Sequence, residues 1–174
     1  MSQSRLSAKK LALTAVLMAM NIIMSSSFLS IPVPGGHMYL NDVIICTAAI
    51  LLDPFCAFMV GGVGAFIGDM LFYPAPMFVS LVSHGVQAVV ISLCTRHLIK
   101  NKPEPSSIIG AVFGLVLSVV GYSLGRAFVY STPEYAIMKL PFQILQTTVG
   151  STLALLLCWK CGLVKLFENQ FNKL

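Results

Sequence analysis

His84 and Gln87 stand three residues apart in one apolar run, and Tyr122 and Arg126 four apart in a second. Gln143, Gln146 and Thr147 fall within about one turn of a third. In a helix each set shares a face. An imidazole, three amides, a phenol and a guanidinium can grip a small polar ring through hydrogen bonds. They do not make a reactive constellation. No HExxH, GxSxG or DGxxAR-like phosphotransferase pattern accompanies them. Asp53 and His97 fall toward one end of the expected helices, His84 and Asp69 toward the other. An enzyme is therefore not expected, and neither is a cofactor.

The surrounding chain decides what positions these groups. Of its 174 residues 57% are hydrophobic and 10% charged, with a mean hydropathy of +0.87. A soluble domain carries about 25% charged residues, so the composition predicts an integral membrane protein with one domain, residues 1–174. The first apolar run lacks a small-residue cleavage pattern and is read as a retained helix rather than a cleaved signal. The net charge of +5 serves topology and attraction to the lipid bilayer, not nucleic acid. Among the five cysteines, Cys158 and Cys161 form a CxxC with no second pair and no HxxxH, so free thiols are expected and no metal site.

A spanning helix needs about 20 mostly apolar residues. Six candidates fit, at about 8–28, 40–53, 55–73, 77–98, 107–131 and 137–161; the second is short. The breaks between them are "LLDPF" (51–55), "YPAP" (73–76), "KNKPEPSS" (100–107) and "YSTPEY" (130–135), where proline disfavours helix for the residue before it. With both termini in the cytoplasm, Arg5, Lys9, Lys10, Arg96, Lys100, Lys102, Lys160, Lys165 and Lys173 lie inside, and only Arg126 and Lys139 lie outside. That bias follows the positive-inside rule. The expected fold is all-α: a compact bundle of six transmembrane helices.

Depth then brings the polar groups together. At ~1.5 Å per residue, His84 and Gln87, Tyr122 and Arg126, and Gln143, Gln146 and Thr147 all fall roughly 8–15 Å below the outer surface. Ser80, Asp69 and Lys139 lie at similar or shallower levels. Polar groups inside a bilayer face the bundle interior or a wet cavity. The inner half is almost wholly apolar, whereas a through-pore would carry polar groups at every depth. The pattern is a cup open outward. Single residues have blander readings: His84 as a packing histidine, Gln143 and Gln146 as interhelical bonds, Arg126 as the partner of Asp69. The stretch "SIPVPGGHMYLND" (30–42) reaches the mouth of the cup. Pro32 and Pro34 stiffen it, Gly35 and Gly36 permit a turn, and His37, Tyr39 and Asn41 are expected to fold over the opening as a lid.

Ala8, Ala12, Ala15 and Ala19 follow spacings of 4, 3 and 4 and share a helical face. Such a face admits another helix closely, either one of this chain's own or one from a separate membrane subunit.

"ALTAVLMA" (12–19), "IPVPGG" (31–36) and "VGGVGAFIGDML" (60–71), with the size and the six-span pattern, resemble an S component. S components are the substrate-binding membrane subunits of energy-coupling factor (ECF) vitamin transporters. The resemblance covers nearly the whole chain. It implies a multi-pass protein of the bacterial cell membrane that binds a vitamin or precursor from outside. It also implies docking through the alanine face onto a coupling membrane subunit driven by two cytoplasmic ATPases, and release inside by toppling. Loop 1 and spans 4 to 6 would line the site. Trp159, the single tryptophan, lies at the far end, so Tyr39, Tyr122 and Tyr130 are left to stack on a ring. Arg126 and His84 suit a small ring with hydroxyls: a vitamin B6 form first, the pyrimidine precursor of thiamine second, with riboflavin large for the site. The rival class is an autonomous small carrier or channel.

Overall fold

The computed structural model describes residues 8–26, 29–34 and 36–171. Arg5, Gly35 and Lys173 of the expected charge and turn patterns, and residues 27 and 28 of the first span, lie outside them. The chain forms α1 (Ala8–Met24), a hairpin of β1 (Ile31–Val33) and β2 (Gly36–Met38), and α2 (Asn41–Leu51). Four long helices follow: α3 (Pro54–Phe72), α4 (Met77–His97), α5 (Pro103–Tyr130) and α6 (Pro133–Lys160). A ninth element, α7 (Leu163–Phe171), ends the described chain.

Helices α3 to α6 are long and apolar enough to cross a membrane. Each of the six expected segments contains a helix, but α2 has only 11 residues, about 16 Å of rise against a ~30 Å hydrocarbon core. Nine of those 11 residues are buried. A helix covered on all sides belongs to the interior, so α2 forms the centre of the bundle. Gly150 of α6 makes this possible: a Cβ there would collide with the Asp42 Cβ and sit 3.2 Å from the Val43 backbone nitrogen. Gly61 of α3 does the same against α4, where a Cβ would sit 2.8 Å from that of Ala88.

Two helices begin earlier than the sequence breaks suggest. The polar stretch 100–107 already enters α5 at Pro103, and α6 starts at Pro133 rather than near 137. Proline suits a first helical position because that N–H has no intrahelical partner. Thr132 caps α6 by accepting from the Tyr135 N–H at 3.4 Å. Each of α3, α5 and α6 also contains one π-helical turn, at Met59–Val63, Arg126–Tyr130 and Leu156–Lys160.

An apolar floor closes the middle of the bundle. Ile45, Ala49, Ala57, Ala88, Ile91 and Ala154 pack together there, and a neighbouring cluster joins Leu17, Ala48, Leu52 and Val60. Helix α1 is held to α3 by Asn21, whose Nδ2 donates to the Val60 carbonyl at 2.7 Å. At the other end of α1, Lys10 pairs with Asp53, which caps α3 by accepting from the Cys56 N–H at 2.9 Å. Partial burial acts to raise the Asp53 pKa, but the bonds from Lys10 and Cys56 hold it below the ordinary value. Helix α7 had no counterpart in the sequence reading. It turns off α6 at Gly162, whose φ of 76° favours glycine, and lays Leu163, Val164 and Phe167 against the core.

Candidate functional site

At the end of the bundle where α2, α4 and α6 begin and α3 and α5 finish, the helices enclose a cavity of about 280 Å³. Ten of the expected residues line it: His37, Tyr39, Asn41, Asp69, His84, Tyr122, Arg126, Lys139, Gln143 and Gln146. Ser80, Gln87 and Thr147 do not. All three are fully buried behind the wall and brace the residues that face the space. Ser80 donates to Asp69 and lies 2.6 Å from the Tyr122 hydroxyl. Thr147 Oγ1 bonds the Gln143 backbone carbonyl at 3.0 Å and lies 3.5 Å from its amide nitrogen. The amide oxygen of Gln143 is thereby left for Arg126.

Arg126 opens the π-helical turn of α5 and is 7% exposed. Its Nη2 donates to Gln143 Oε1 at 2.6 Å, and its guanidinium carbon lies 5.3 Å from the Tyr122 ring centre. Its Nη1 has no hydrogen-bond partner among the described residues. Arg126 makes no ion pair with Asp69; the Asp69 carboxylate takes the Ser80 hydroxyl instead. A buried cation with a free N–H is costly unless something completes it. The His84 ring stands edge-on to Tyr122 at 5.1 Å.

Within the stretch 30–42, β1 and β2 pair as a hairpin in which Pro32 faces His37 and Val33 faces Gly36. Hydrogen bonds fasten it to α6. Lys139 Nζ donates to the His37 carbonyl at 2.9 Å, and the Tyr39 N–H donates to Gln146 Oε1 at 3.0 Å. His37 itself is exposed and bonds Ser30 at 2.8 Å.

The sequence reading missed Asp42. This carboxylate is fully buried beneath the cavity and receives Gln87 Nε2 at 3.0 Å and Gln146 Nε2 at 3.1 Å. The available signal was a lone acid in a short apolar helix, where an unpaired charge is expensive. Tyr73 and Tyr135 also line the cavity; Tyr73 stood at the end of the third expected span and Tyr135 in a stretch read as a turn. A second hollow of about 400 Å³, lined by Arg96, Lys102 and Trp159 among others, lies at the opposite end. Lys9, Lys10, Lys100, Lys160 and Lys165 occupy that same end, by the helix order.

Ala8, Ala12, Ala15 and Ala19 are all exposed, while α1 buries Thr14, Leu17 and Asn21 on its other side. The alanine face is therefore not used in this chain's own packing among the described residues.

Residues 5–162 match the family described as "ECF-type riboflavin transporter, S component". The thiamine precursor transporter HmpT of Lactococcus lactis subsp. cremoris (strain MG1363) is 32% identical over 150 residues, which is 84% of this chain and 83% of that protein. An uncharacterised protein of Pyrococcus woesei is 27% identical over 131 residues, 74% of this chain and 86% of its own length. The match spans nearly every helix that shapes the cavity, and the chain belongs to the S component family of ECF-type vitamin transporters.

Proposed function

We propose that this chain captures one small, hydroxylated nitrogen heteroaromatic ring in the cavity and delivers it through an ECF module. The carrying observation is Arg126, which lines a space of about 280 Å³ while its buried Nη1 has no hydrogen-bond partner among the described residues. That space is just below the ~300–1,000 Å³ of pockets for drug-sized ligands, which favours a single ring over the three fused rings of riboflavin. Tyr39, Tyr122 and Tyr130 supply stacking surfaces. The free cationic donor favours a vitamin B6 form, whose ring hydroxyl it can meet as a phenolate. The relationship to HmpT favours the pyrimidine precursor of thiamine.

In this reading the six helices α1 to α6 form one substrate-binding domain, with both termini and the lysine-rich end in the cytoplasm of a bacterial cell. The exposed alanine face of α1 docks onto the coupling membrane subunit, and two ATPases beneath it supply the energy. Calorimetric titration of the purified chain with pyridoxine, the thiamine pyrimidine and riboflavin tests the substrate class. A single-ring compound should bind far more tightly than riboflavin. Stronger binding of riboflavin, or uptake of any of the three by liposomes holding this chain alone, would overturn the reading.

A further inference from the structure

We infer that Asp42 is a positioning residue that sets the hydrogen-bonding polarity of the cavity wall, so that His84 offers a bare Nε2 acceptor to a ligand that must carry an N–H or O–H on that edge. The ligand half of this inference rests on the proposed reading of the cavity as the substrate site.

The chain of bonds leaves little freedom. Asp42 Oδ1 and Oδ2 each accept from a different amide, Gln87 and Gln146. A protonated Asp42 would have an O–H facing two amide donors and no acceptor, so the carboxylate form fits the site. A carboxylate only accepts. Both amides must therefore turn their NH2 toward Asp42 and their oxygens away. The Gln87 oxygen lies 2.8 Å from His84 Nδ1. An amide oxygen cannot donate, so Nδ1 carries the proton. In a neutral imidazole the other nitrogen is then an acceptor. No hydrogen bond engages His84 Nε2 among the described residues, and His84 lines the cavity. The Gln146 oxygen, aimed away by the same carboxylate, receives the Tyr39 N–H of the hairpin exit. Asn41 Oδ1, on the adjacent residue, is a second buried acceptor without a partner among the described residues. On the α5 side the free group is a donor, Arg126 Nη1. The complementary ring bears a donor, such as an amino or hydroxymethyl group, on one edge and an acceptor on the other.

Nitrogen-15 NMR of histidine-labelled protein in nanodiscs reads the tautomer without any ligand, with the His84 signal assigned by His84→Gln. The expected wild-type state is protonated Nδ1 and bare Nε2. An amide at position 42 replaces one of the two accepting oxygens with an NH2 that faces a glutamine donor. Asp42→Asn should therefore either move His84 to the Nε2–H tautomer or release the Tyr39 amide to faster hydrogen exchange. A wild-type Nε2–H tautomer or an imidazolium overturns the inference, as does a folded Asp42→Asn variant with both signals unchanged. If that variant does not fold, the wild-type tautomer alone decides. Titration with the thiamine pyrimidine and its dimethylamino analogue tests the ligand half. The analogue lacks the amino donors and should bind about tenfold or more weakly, the loss expected when one buried partner goes unmet. Equal binding overturns that half. If neither the thiamine pyrimidine nor pyridoxine binds, the proposed substrate class fails while the tautomer result still stands.

Discussion

Arg126 and Gln143 carry the sharpest expectations among single residues. A hydrogen bond to a charged group contributes about 1.5–3 kcal/mol, so Arg126→Ala should weaken ligand binding roughly ten- to hundredfold. Gln143 holds Arg126 Nη2, so Gln143→Ala should cost less, about 0.5–1.5 kcal/mol, because the guanidinium can turn to the ligand with both nitrogens. Calorimetric titration beside a thermal melt separates the two roles: a lower melting temperature with unchanged affinity would make Arg126 a structural residue. His84, Arg126 and Gln143 were legible in the sequence because a polar side chain within an apolar helix is conspicuous and helical spacing shows its face. The division between lining and bracing was not. Gln87 and His84 share a face, yet only His84 reaches the cavity, since Gln87 is drawn inward by the Asp42 carboxylate. Such a difference depends on a partner 45 positions away in the chain.

At the scale of elements, α1 presents its alanines outward and the hairpin is tied to α6 by bonds that include those from Lys139 and to Gln146. Ala15→Leu with Ala19→Leu should block assembly with the coupling subunit and leave ligand affinity unchanged, since leucine holds apart helices that alanine lets approach. Pull-down and titration on the same protein check both halves. Replacing residues 33–37 with a Gly/Ser linker should speed ligand dissociation more than it slows capture, as stopped-flow fluorescence would record; an unchanged dissociation rate would reduce the hairpin to a connector. The helices were readable from apolar run length, and the turns from proline. Hairpin pairing was not, because two strands of three residues leave no alternating pattern long enough to detect. The starts of α5 and α6 were misplaced for a definite reason: Pro103 and Pro133 initiate helices, and a proline that begins a helix looks in sequence like one that breaks it.

The whole molecule combines a polar cavity at one end, an apolar floor and a basic opposite end, which the proposed function reads as an outward-facing binder. A buried α2 explains how six helices can fit when one has only 11 residues. Sidedness is testable. In otherwise cysteine-free variants, a membrane-impermeant maleimide should label His37→Cys in intact cells and Cys161 only after the cytoplasmic face is opened; labelling of both from one side would contradict an odd number of crossings between them and the assigned ends. The central claim, that the cavity holds a single-ring vitamin or precursor through Arg126, is tested most directly by native mass spectrometry of the protein purified from cells supplied with pyridoxine and the thiamine pyrimidine. The account predicts a bound small molecule with the mass of one of these in the wild type and its absence in folded Arg126→Ala; the same ligand retained in full by Arg126→Ala, or a bound riboflavin, would contradict it.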